Sequence, residues 1–388
     1  MFGAKRTSLG LALVLALGLV AAACSDDGGG DGGTTAEGGG SIWVLLPDTE
    51  TSDRWEQADP PAFTEAFEAA GLVEGEDFQI VNAENDPATQ QSQAEQAIAD
   101  GASVIIMTSL DPGSGGTIID QAKEAGVAVI EYDRFNTGSS GGTAYVSFDN
   151  VQVGAKMAEA LEPAIDALGI DTPRVVMLNG GEEDNNSFLF RTGYAETVEA
   201  RVAAGDWELV ADQHVPGWDN AQAQTIMEQI LVDAGNDVDA VFAANDGLAN
   251  SAITALELAG IGPVPVSGQD ATTAGLQNIL LGKQAMTVHK PAYLEASIAA
   301  AIALALRAGE DPLAITSEFE FTIIGINSAD GTPTDSAEGD GVVPYFALVP
   351  IAVTADNILE TVIADGHETV ANICTGDVAA TPFCQENA

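Results

Sequence analysis

The sequence predicts an α/β protein built from two doubly wound lobes, and three observations lead to this fold class. Short apolar runs alternate with helical patterns from Ser41 onward, which is typical of parallel strands covered by helices on both faces. The alternation restarts near residue 175, and one open sheet of the combined length would be unusually large. The 388 residues are enough for two lobes of ordinary domain size.

The first series of elements runs from residue 42 to residue 130. Its predicted strands are 42–46, 78–81, 104–107 and 127–130. Its predicted helices are 60–70, 87–100 and 116–125. Gly71, Gly101 and Gly126 directly follow these helices, and glycine commonly ends a helix because it adopts the left-handed conformation without strain.

The second series repeats the alternation from residue 175 to residue 288. Its predicted strands are 175–178, 209–214, 240–243, 264–266 and 286–288. Its predicted helices are 188–203, 220–234 and 247–259. Because no strong short repeat is visible, a solenoid is disfavoured, and the second series predicts a second lobe similar to the first.

The charge balance excludes one large class of partners. Fifty-nine Asp and Glu residues face twelve Lys and Arg residues, a formal net charge of −47 at pH 7. Such a surface repels nucleic acid phosphates, so we expect no nucleic acid partner. The acidic residues are dispersed rather than grouped in a block, which indicates a role in solubility.

The N-terminus has the pattern of an export signal. Lys5 and Arg6 precede an apolar stretch, residues 9–20, which is too short to span a bilayer stably. The alanines at 21–23, immediately before Cys24, resemble the lipobox of bacterial lipoproteins. We therefore expect a lipoprotein signal peptide at residues 1–23, and a lipidated Cys24 that anchors an extracytoplasmic protein to the cell membrane. The alternative is an ordinary signal peptide with an incidental cysteine.

Two further segments flank the predicted lobes. Residues 24–40 contain the lipidated Cys and a Gly-rich, acidic stretch that cannot bury a core, and a chain of this kind spans roughly 20–25 Å. Residues 371–388 form a tail with Cys374 and Cys384. Export favours a disulfide between them, which would add roughly 2–3 kcal/mol. A metal site is less favoured, since no His lies between or beside them.

Polar and aromatic residues follow the predicted strands, where ligands bind in open α/β sheets. They are Arg54 and Trp55, Asp133 and Arg134, 184–186, 217–219, Asn245 and Asp246, 267–270, and Lys290. Planar carboxylate, amide and guanidinium groups can each bridge two neighbouring sugar hydroxyls, and an aromatic ring can pack against the apolar face of a sugar. Three of the ten basic residues left after the signal (twelve minus Lys5 and Arg6) are in this set. The alternative is that each of the three pairs with a surface carboxylate.

A set of motifs in this order is similar to the xylose-binding branch of the periplasmic sugar-binding proteins. The motifs are Ser52-Asp53-Arg54-Trp55, Tyr132-Asp133-Arg134, Val146-Ser147-Phe148-Asp149-Asn150 with Val153-Gly154, Gly180-Gly181, Asp184-Asn185-Asn186, Ala244-Asn245-Asp246, Ser267-Gly268-Gln269-Asp270, and Met286-Thr287-Val288 with Pro291. The resemblance covers roughly residues 42 to 365. A single tripeptide would be weak evidence for the resemblance, whereas the ordered set of motifs is specific.

The resemblance implies a periplasmic binding protein of type I, in which a three-segment hinge joins two Rossmann-like lobes. The expected lobes are 41–150 plus 291–324, and 151–290 plus 325–370. It also implies a monomer that binds a monosaccharide, xylose or a related aldose, and delivers it to an ABC importer permease without a cofactor or metal. The implied ligand-binding residues are Arg54, Trp55, Asp133, Arg134, Asn186, Trp218, Asn245, Asp270 and Lys290.

Three segments depart from the family pattern. The segment between the Gly-Gly and Asn-Asn pairs is shorter, so the position of Asn186 depends on how it folds. Residues 328–341 form an acidic, Gly-rich stretch with the character of an inserted surface loop. The tail with its two cysteines lies outside the matched region.

The same residues bear on other classes of function. An enzyme is disfavoured: His214, His289 and His367 lack zinc spacing, and no nucleophile elbow or Walker loop occurs. Asp133 and Asp270 could form a glycosidase pair, but the motif set explains them better. The export signal and the acidic charge exclude a sugar-responsive transcription regulator. A sensor that presents the ligand to a membrane signalling receptor stays open, as do nucleosides or a furanone as ligands.

Overall fold

The computed structural model describes residues 39–49, 51–52, 54–315 and 319–387. The predicted signal peptide, Cys24 and the tether up to residue 38 lie outside the described residues, as does Asp53. No described helix is both long and apolar enough to cross a bilayer.

The strands and helices alternate along most of the chain. The strands are β1 Ile42–Leu46, β2 Phe78–Asn82, β3 Val104–Met107, β4 Ala128–Tyr132, β5 Ala144–Phe148, β6 Arg174–Asn179, β7 Glu208–His214, β8 Ala240–Ala243, β9 Thr287–His289, β10 Phe321–Asn327, β11 Pro333–Thr334, β12 Val342–Leu348 and β13 Ile351–Val353. The helices are α1 Arg54–Gln57, α2 Asp59–Ala69, α3 Pro87–Ala99, α4 Pro112–Glu124, α5 Asn150–Asp166, α6 Asn185–Ala204, α7 Asn220–Asp233, α8 Asp246–Leu258, α9 Thr273–Leu280, α10 Ala292–Arg307, α11 Val370–Ile373 and α12 Pro382–Asn387.

The first lobe (residues 39–149 and 290–348) contains an eight-stranded sheet. Its order is β11-β10-β12-β5-β4-β3-β1-β2, and the strands from β12 to β2 are parallel. The burial of β1 on both faces of the sheet explains its composition. Ile42, Val44 and Leu46 pack in the core on one face of the sheet, while Trp43 and Leu45 pack in the core on the other. Helices cover both faces, so all five side chains are apolar.

The second lobe (residues 150–289 and 351–387) contains the parallel sheet β7-β6-β8. The predicted strand 264–266 is wrong, since only Val266 forms an isolated bridge, to Val241. Pro263 and Pro265 lack the N–H groups that a longer ladder requires. β9 pairs with β13 in a separate antiparallel sheet.

The chain crosses between the lobes three times, near residues 149–150, 289–290 and 349–350. One predicted boundary is wrong. Residues 325–348 were assigned to the second lobe, but β12 pairs in parallel with β5 and in antiparallel with β10. The apolar side chains Phe346 and Leu348 are buried in the core of the first lobe, so this lobe extends to the end of β12.

The C-terminal tail packs on the second lobe. Cys374 and Cys384 are joined by a disulfide. Ile373, Val378 and Cys384 are buried in one apolar cluster with Leu276 of α9 and with Ala271. The tail therefore supports the turn at Ala271 from behind.

Candidate ligand-binding site

A cavity lies between the two lobes, at the carboxyl ends of the strands. All nine residues that the resemblance implied line it, together with Thr51, Ser52, Asp184, Phe190 and Gln269. About 340 Å³ of space lies among these residues when the part open to solvent is included. The cavity is therefore small.

Three of the lining residues have an unusual backbone conformation. Asp133, Trp218 and Asp270 have φ angles of 62°, 53° and 96°, in the left-handed region that side chains other than glycine rarely adopt. Such strain persists where the surrounding structure fixes it, and it is concentrated at functional sites. Three of the seven described non-glycine residues with positive φ thus line this cavity.

Asp133 is the centre of the charged network in the first lobe. Its Oδ2 accepts hydrogen bonds from Arg54 Nη1 at 2.9 Å and from Lys290 Nζ at 3.2 Å. Burial alone would raise the pKa of Asp133, but Lys290 and Arg54 together hold it below its ordinary value. The carboxylate is therefore ionised at neutral pH, and its two ion pairs hold Arg54 and Lys290 in place.

In the described part of the chain, three residue pairs make polar contacts between the lobes across the cavity. Asn186 donates from Nδ2 to the carbonyl oxygen of Asp133 at 2.9 Å. Arg134 Nε lies 3.3 Å from Asp184 Oδ2, and Ser52 donates to Asp270 Oδ2 at 3.3 Å. The cavity is thus bounded by both lobes in a closed arrangement.

Aromatic rings form two walls of the cavity. The guanidinium carbon of Arg54 lies 4.4 Å from the ring centroid of Trp55, and this contact holds the indole in a fixed orientation. Trp218 lies close against Gly180, where an added Cβ would overlap the indole ring. The buried Nε1 of Trp218 has no hydrogen-bond partner among the described residues.

Equal numbers of cationic and carboxyl side chains line the cavity. Among the described lining residues, Arg54, Arg134 and Lys290 are the cations, and the carboxyl groups are those of Asp133, Asp184 and Asp270. A phosphate or another strongly charged ligand would disturb this balance in a buried space. The lining is therefore suited to an uncharged ligand with many hydrogen-bonding groups.

Asp184, Phe190 and Gln269 line the cavity but are not among the nine ligand-binding residues expected from the sequence. Asp184 and Gln269 lie in the motifs Asp184-Asn185-Asn186 and Ser267-Gly268-Gln269-Asp270, next to expected residues. Phe190 lies four residues after Asn186 on α6, and this spacing places both side chains on one helix face. The buried Oε1 of Gln269 lacks a partner in the described part of the chain, which would leave it free to accept from a ligand.

Comparisons with known proteins agree with this geometry. A family model described as a periplasmic binding protein domain matches residues 43–311. The D-xylose-binding periplasmic protein of Escherichia coli (strain K12) is 35% identical over 315 residues, covering 81% of this chain and 87% of that protein. Its namesake in Haemophilus influenzae is 34% identical, covering 83% of this chain and 88% of that protein.

A solved structure leads to the same family. An ABC transporter solute binding protein from Clostridium phytofermentans, with bound β-D-glucose, has a TM-score of 0.73 and 28% identity, covering 86% of this chain and 99% of that chain. The predicted fold class is thereby confirmed. The family consists of solute-binding proteins, which supports the expectation of a non-enzyme. The chain therefore belongs to the periplasmic binding proteins and has their type I fold.

Proposed function

We propose that this protein captures a monosaccharide, xylose or a related aldose, by closure of the lobes and delivers it to an ABC importer. The observation that carries the proposal is the charge-balanced, buried cavity to which both lobes contribute polar side chains. The xylose-binding relatives support the choice of sugar. The glucose bound in the similar solved structure supports a site for aldoses in general.

The chemistry of the lining matches a sugar. Each sugar hydroxyl can donate and accept one hydrogen bond, and the cavity supplies carboxylates as acceptors and guanidinium or ammonium groups as donors. Trp55 and Trp218 supply apolar ring surface for the C–H faces of a sugar ring. Asn245 uses its Oδ1 to accept from the N–H of Leu248 at 2.8 Å, which leaves its Nδ2 to donate to the ligand.

Closure follows from the division of these groups between the lobes. Arg54, Asp133 and Arg134 belong to the first lobe, while Trp218 and Asp270 belong to the second. A sugar that contacts both groups stabilises the closed state over the open one, because only the closed state makes both sets of contacts. The importer would then recognise the closed monomer.

A panel of free sugars tests the proposal. Xylose, or an aldose that differs from it at one carbon, should raise the melting temperature, since a ligand at one hundred times its Kd adds about 2.7 kcal/mol of stability. Differential scanning fluorimetry measures the shift, and sugar phosphates and free amino acids serve as controls. A shift with the controls and none with any neutral sugar would show that the site has another ligand class.

We further propose that a lipid on Cys24 anchors the protein, since small residues precede this cysteine and a Gly-rich acidic tether follows it. Labelling of cells with an alkyne fatty acid should tag the wild type and should not tag Cys24→Ser. The double variant Cys374→Ser/Cys384→Ser is the matched control and should be tagged like the wild type. Tagging of Cys24→Ser at the wild-type level would contradict the anchor.

A further inference from the structure

Beneath the cavity, carboxyl groups hold Arg54 on three sides. Its Nε donates to Asp59 Oδ2 at 2.8 Å, and its Nη2 donates to Asp59 Oδ1 at 2.7 Å and to Glu295 Oε2 at 2.6 Å. Its Nη1 donates to Asp133 Oδ2 at 2.9 Å. A guanidinium has five N–H groups. The Nη2 of Arg54 also donates to the hydroxyl of Tyr132 at 3.2 Å. Among the described residues, Nη1 has no hydrogen-bond acceptor other than Asp133, so one of its two N–H groups is left without a partner, and Arg54 lines the cavity.

The clamp formed by Asp59 and Glu295 is built from separate parts of the first lobe. Asp59 begins α2 and also accepts a hydrogen bond from the hydroxyl of Tyr132 on β4. Glu295 lies in the first turn of α10, directly after the crossing at Lys290. Both carboxyl side chains are fully buried. The orientation of Arg54 is therefore set by packing, and not by its own flexible chain.

Carboxyl groups outnumber cations around Arg54, which favours a bound proton. Asp59, Asp133 and Glu295 all contact this guanidinium, and the other described cation in direct contact with one of them is Lys290, which contacts Asp133. A fully buried excess of negative charge is costly unless one carboxyl group is neutral. Glu295 is the group best placed to be neutral, because its Oε1 is buried and has no hydrogen-bond partner among the described residues.

The electrostatics of Glu295 agree with the geometry. Burial, with the neighbouring charges of Asp133 and Asp59, raises its pKa to about 8, although Arg54 and Lys290 oppose the shift. The titratable groups that face it from the surrounding elements are Arg54, Asp59, Tyr132, Asp133, Tyr145, Lys290 and Tyr345. Burial keeps the pKa of each of these three tyrosines well above its ordinary value, so they stay neutral over the same pH range.

We propose that Glu295 is a positioning residue that acts in its protonated form. With Asp59, it holds Arg54 so that one Nη1–H faces the ligand. Glu295 takes up a proton when the lobes close on the ligand. The removal of water from the cleft explains why Glu295 takes up a proton. The open cleft admits water beside Arg54 and Asp133, and closure removes this water, so the neutral form of Glu295 is favoured more strongly in the closed state. The proposal rests on the proposed sugar-binding function.

Linkage fixes the sign of the pH dependence. When binding takes up a proton, affinity is highest at low pH. It falls as pH rises from the pKa of Glu295 in the open state to its pKa of about 8 in the closed state, by at most about tenfold per pH unit because one proton is involved. Above that range the affinity should become constant.

The decisive experiment measures the Kd of the tightest sugar in the panel between pH 6 and pH 9 by titration calorimetry. The wild type should weaken with rising pH over this range. Glu295→Gln should retain the pH 6.5 affinity within about twofold, because an amide replaces a neutral carboxyl of the same shape, and its Kd should be constant with pH. Glu295→Leu removes the acceptor from Arg54, and it should weaken binding and reduce the discrimination between xylose and its epimers.

Glu131→Gln is the matched control. Glu131 is a buried acid of the same lobe whose pKa burial raises to about 7, and it bonds Asn136 and Gly142 rather than Arg54. This variant should differ from the wild type in the pH profile of stability, but it should keep the decline of affinity above pH 7. An identical decline in the wild type and in Glu295→Gln would overturn the proposal.

A measurement without ligand separates this proposal from the proposed function. The pKa of Glu295 is about 4.5 in the unfolded chain and about 8 in the folded chain. The folded state therefore binds more protons in this window, and the wild type should lose stability relative to Glu295→Gln as pH rises from 4.5 to 8. If no sugar binds but the difference in stability between the wild type and Glu295→Gln is present, the proposed sugar-binding function is wrong and the protonation of Glu295 is supported. If a sugar binds and this difference in stability is absent, only the proposal for Glu295 is wrong.

Discussion

Asp270→Asn should abolish measurable sugar binding while leaving the stability of the ligand-free protein nearly unchanged. Asp270 has a φ of 96°, and asparagine tolerates the left-handed region better than alanine does, so the substitution changes the charge and not the turn. Among the described residues, Ser52 is the side chain hydrogen-bonded to its carboxyl group. The remaining acceptor capacity is available to the ligand.

The size of the effect follows from desolvation. Asparagine keeps one acceptor oxygen but places an NH2 group where the carboxylate has its second, so a ligand donor at that position is left unpaired. Loss of one partner of a buried, charge-assisted contact costs about 2–5 kcal/mol, which is at least about a 30-fold rise in Kd. Burial also raises the pKa of Asp270, although Lys290 and Arg54 oppose the shift. Replacing this carboxyl group with a neutral amide therefore carries little penalty in the ligand-free state.

Titration calorimetry and small-angle X-ray scattering together check this prediction. The wild type should become more compact with sugar, and Asp270→Asn should show neither heat of binding nor compaction. Asp340→Asn, in the exposed part of the acidic loop, is the control and should behave like the wild type. Normal binding and compaction by Asp270→Asn would remove Asp270 from the site.

The second large effect concerns the packing of α5 against α6. Gly154 and Gly193 lie where these helices come closest, and an added Cβ at Gly154 would overlap the carbonyl oxygen of Phe190. Gly154→Ala should destabilise the protein by about 3 kcal/mol, because backbone atoms of a neighbouring helix cannot move aside as a flexible side chain can.

Chemical denaturation provides the measurement for Gly154→Ala. Gly262→Ala is the control, since an added Cβ at Gly262 meets no atom within 4 Å and its φ is not in the left-handed region. Gly262→Ala should stay within about 0.5 kcal/mol of the wild type. Equal stabilities of the two variants would show that α5 and α6 can separate without cost.

Local sequence patterns predicted the central strands well. The predicted bounds 42–46, 104–107 and 240–243 agree with β1, β3 and β8, because these strands are buried on both faces and their apolar runs end sharply. Helix α6 begins at Asn185, three residues before its predicted start, since Asp184 caps it by accepting from the N–H of Asn186. A capping side chain extends a helix beyond its apolar pattern.

The pairing of strands that are far apart in the sequence could not be predicted from local patterns. The residues of β12 are apolar, and such a run fits any parallel sheet, so nothing local directs it to β5. The cavity residues were identified from the ordered motifs, and the structure brings all nine together. Glu295 was missed because it is a single acid within an otherwise apolar helix, and its role depends on Asp59 and Arg54, which are distant in sequence.

The position of β12 in the first sheet also constrains the order of folding during synthesis. Apart from residues 351–387, the second lobe lies between residues 150 and 289, so its central sheet can form as soon as that stretch is available. The first sheet receives β12 beside β5 only after residue 348 has emerged, although its other parallel strands emerge first. Until then β5 presents an open edge, which can pair with other chains. The lobe whose strands are synthesised first is thus left with an open edge until β12 arrives, and the second lobe receives its last segments only after that.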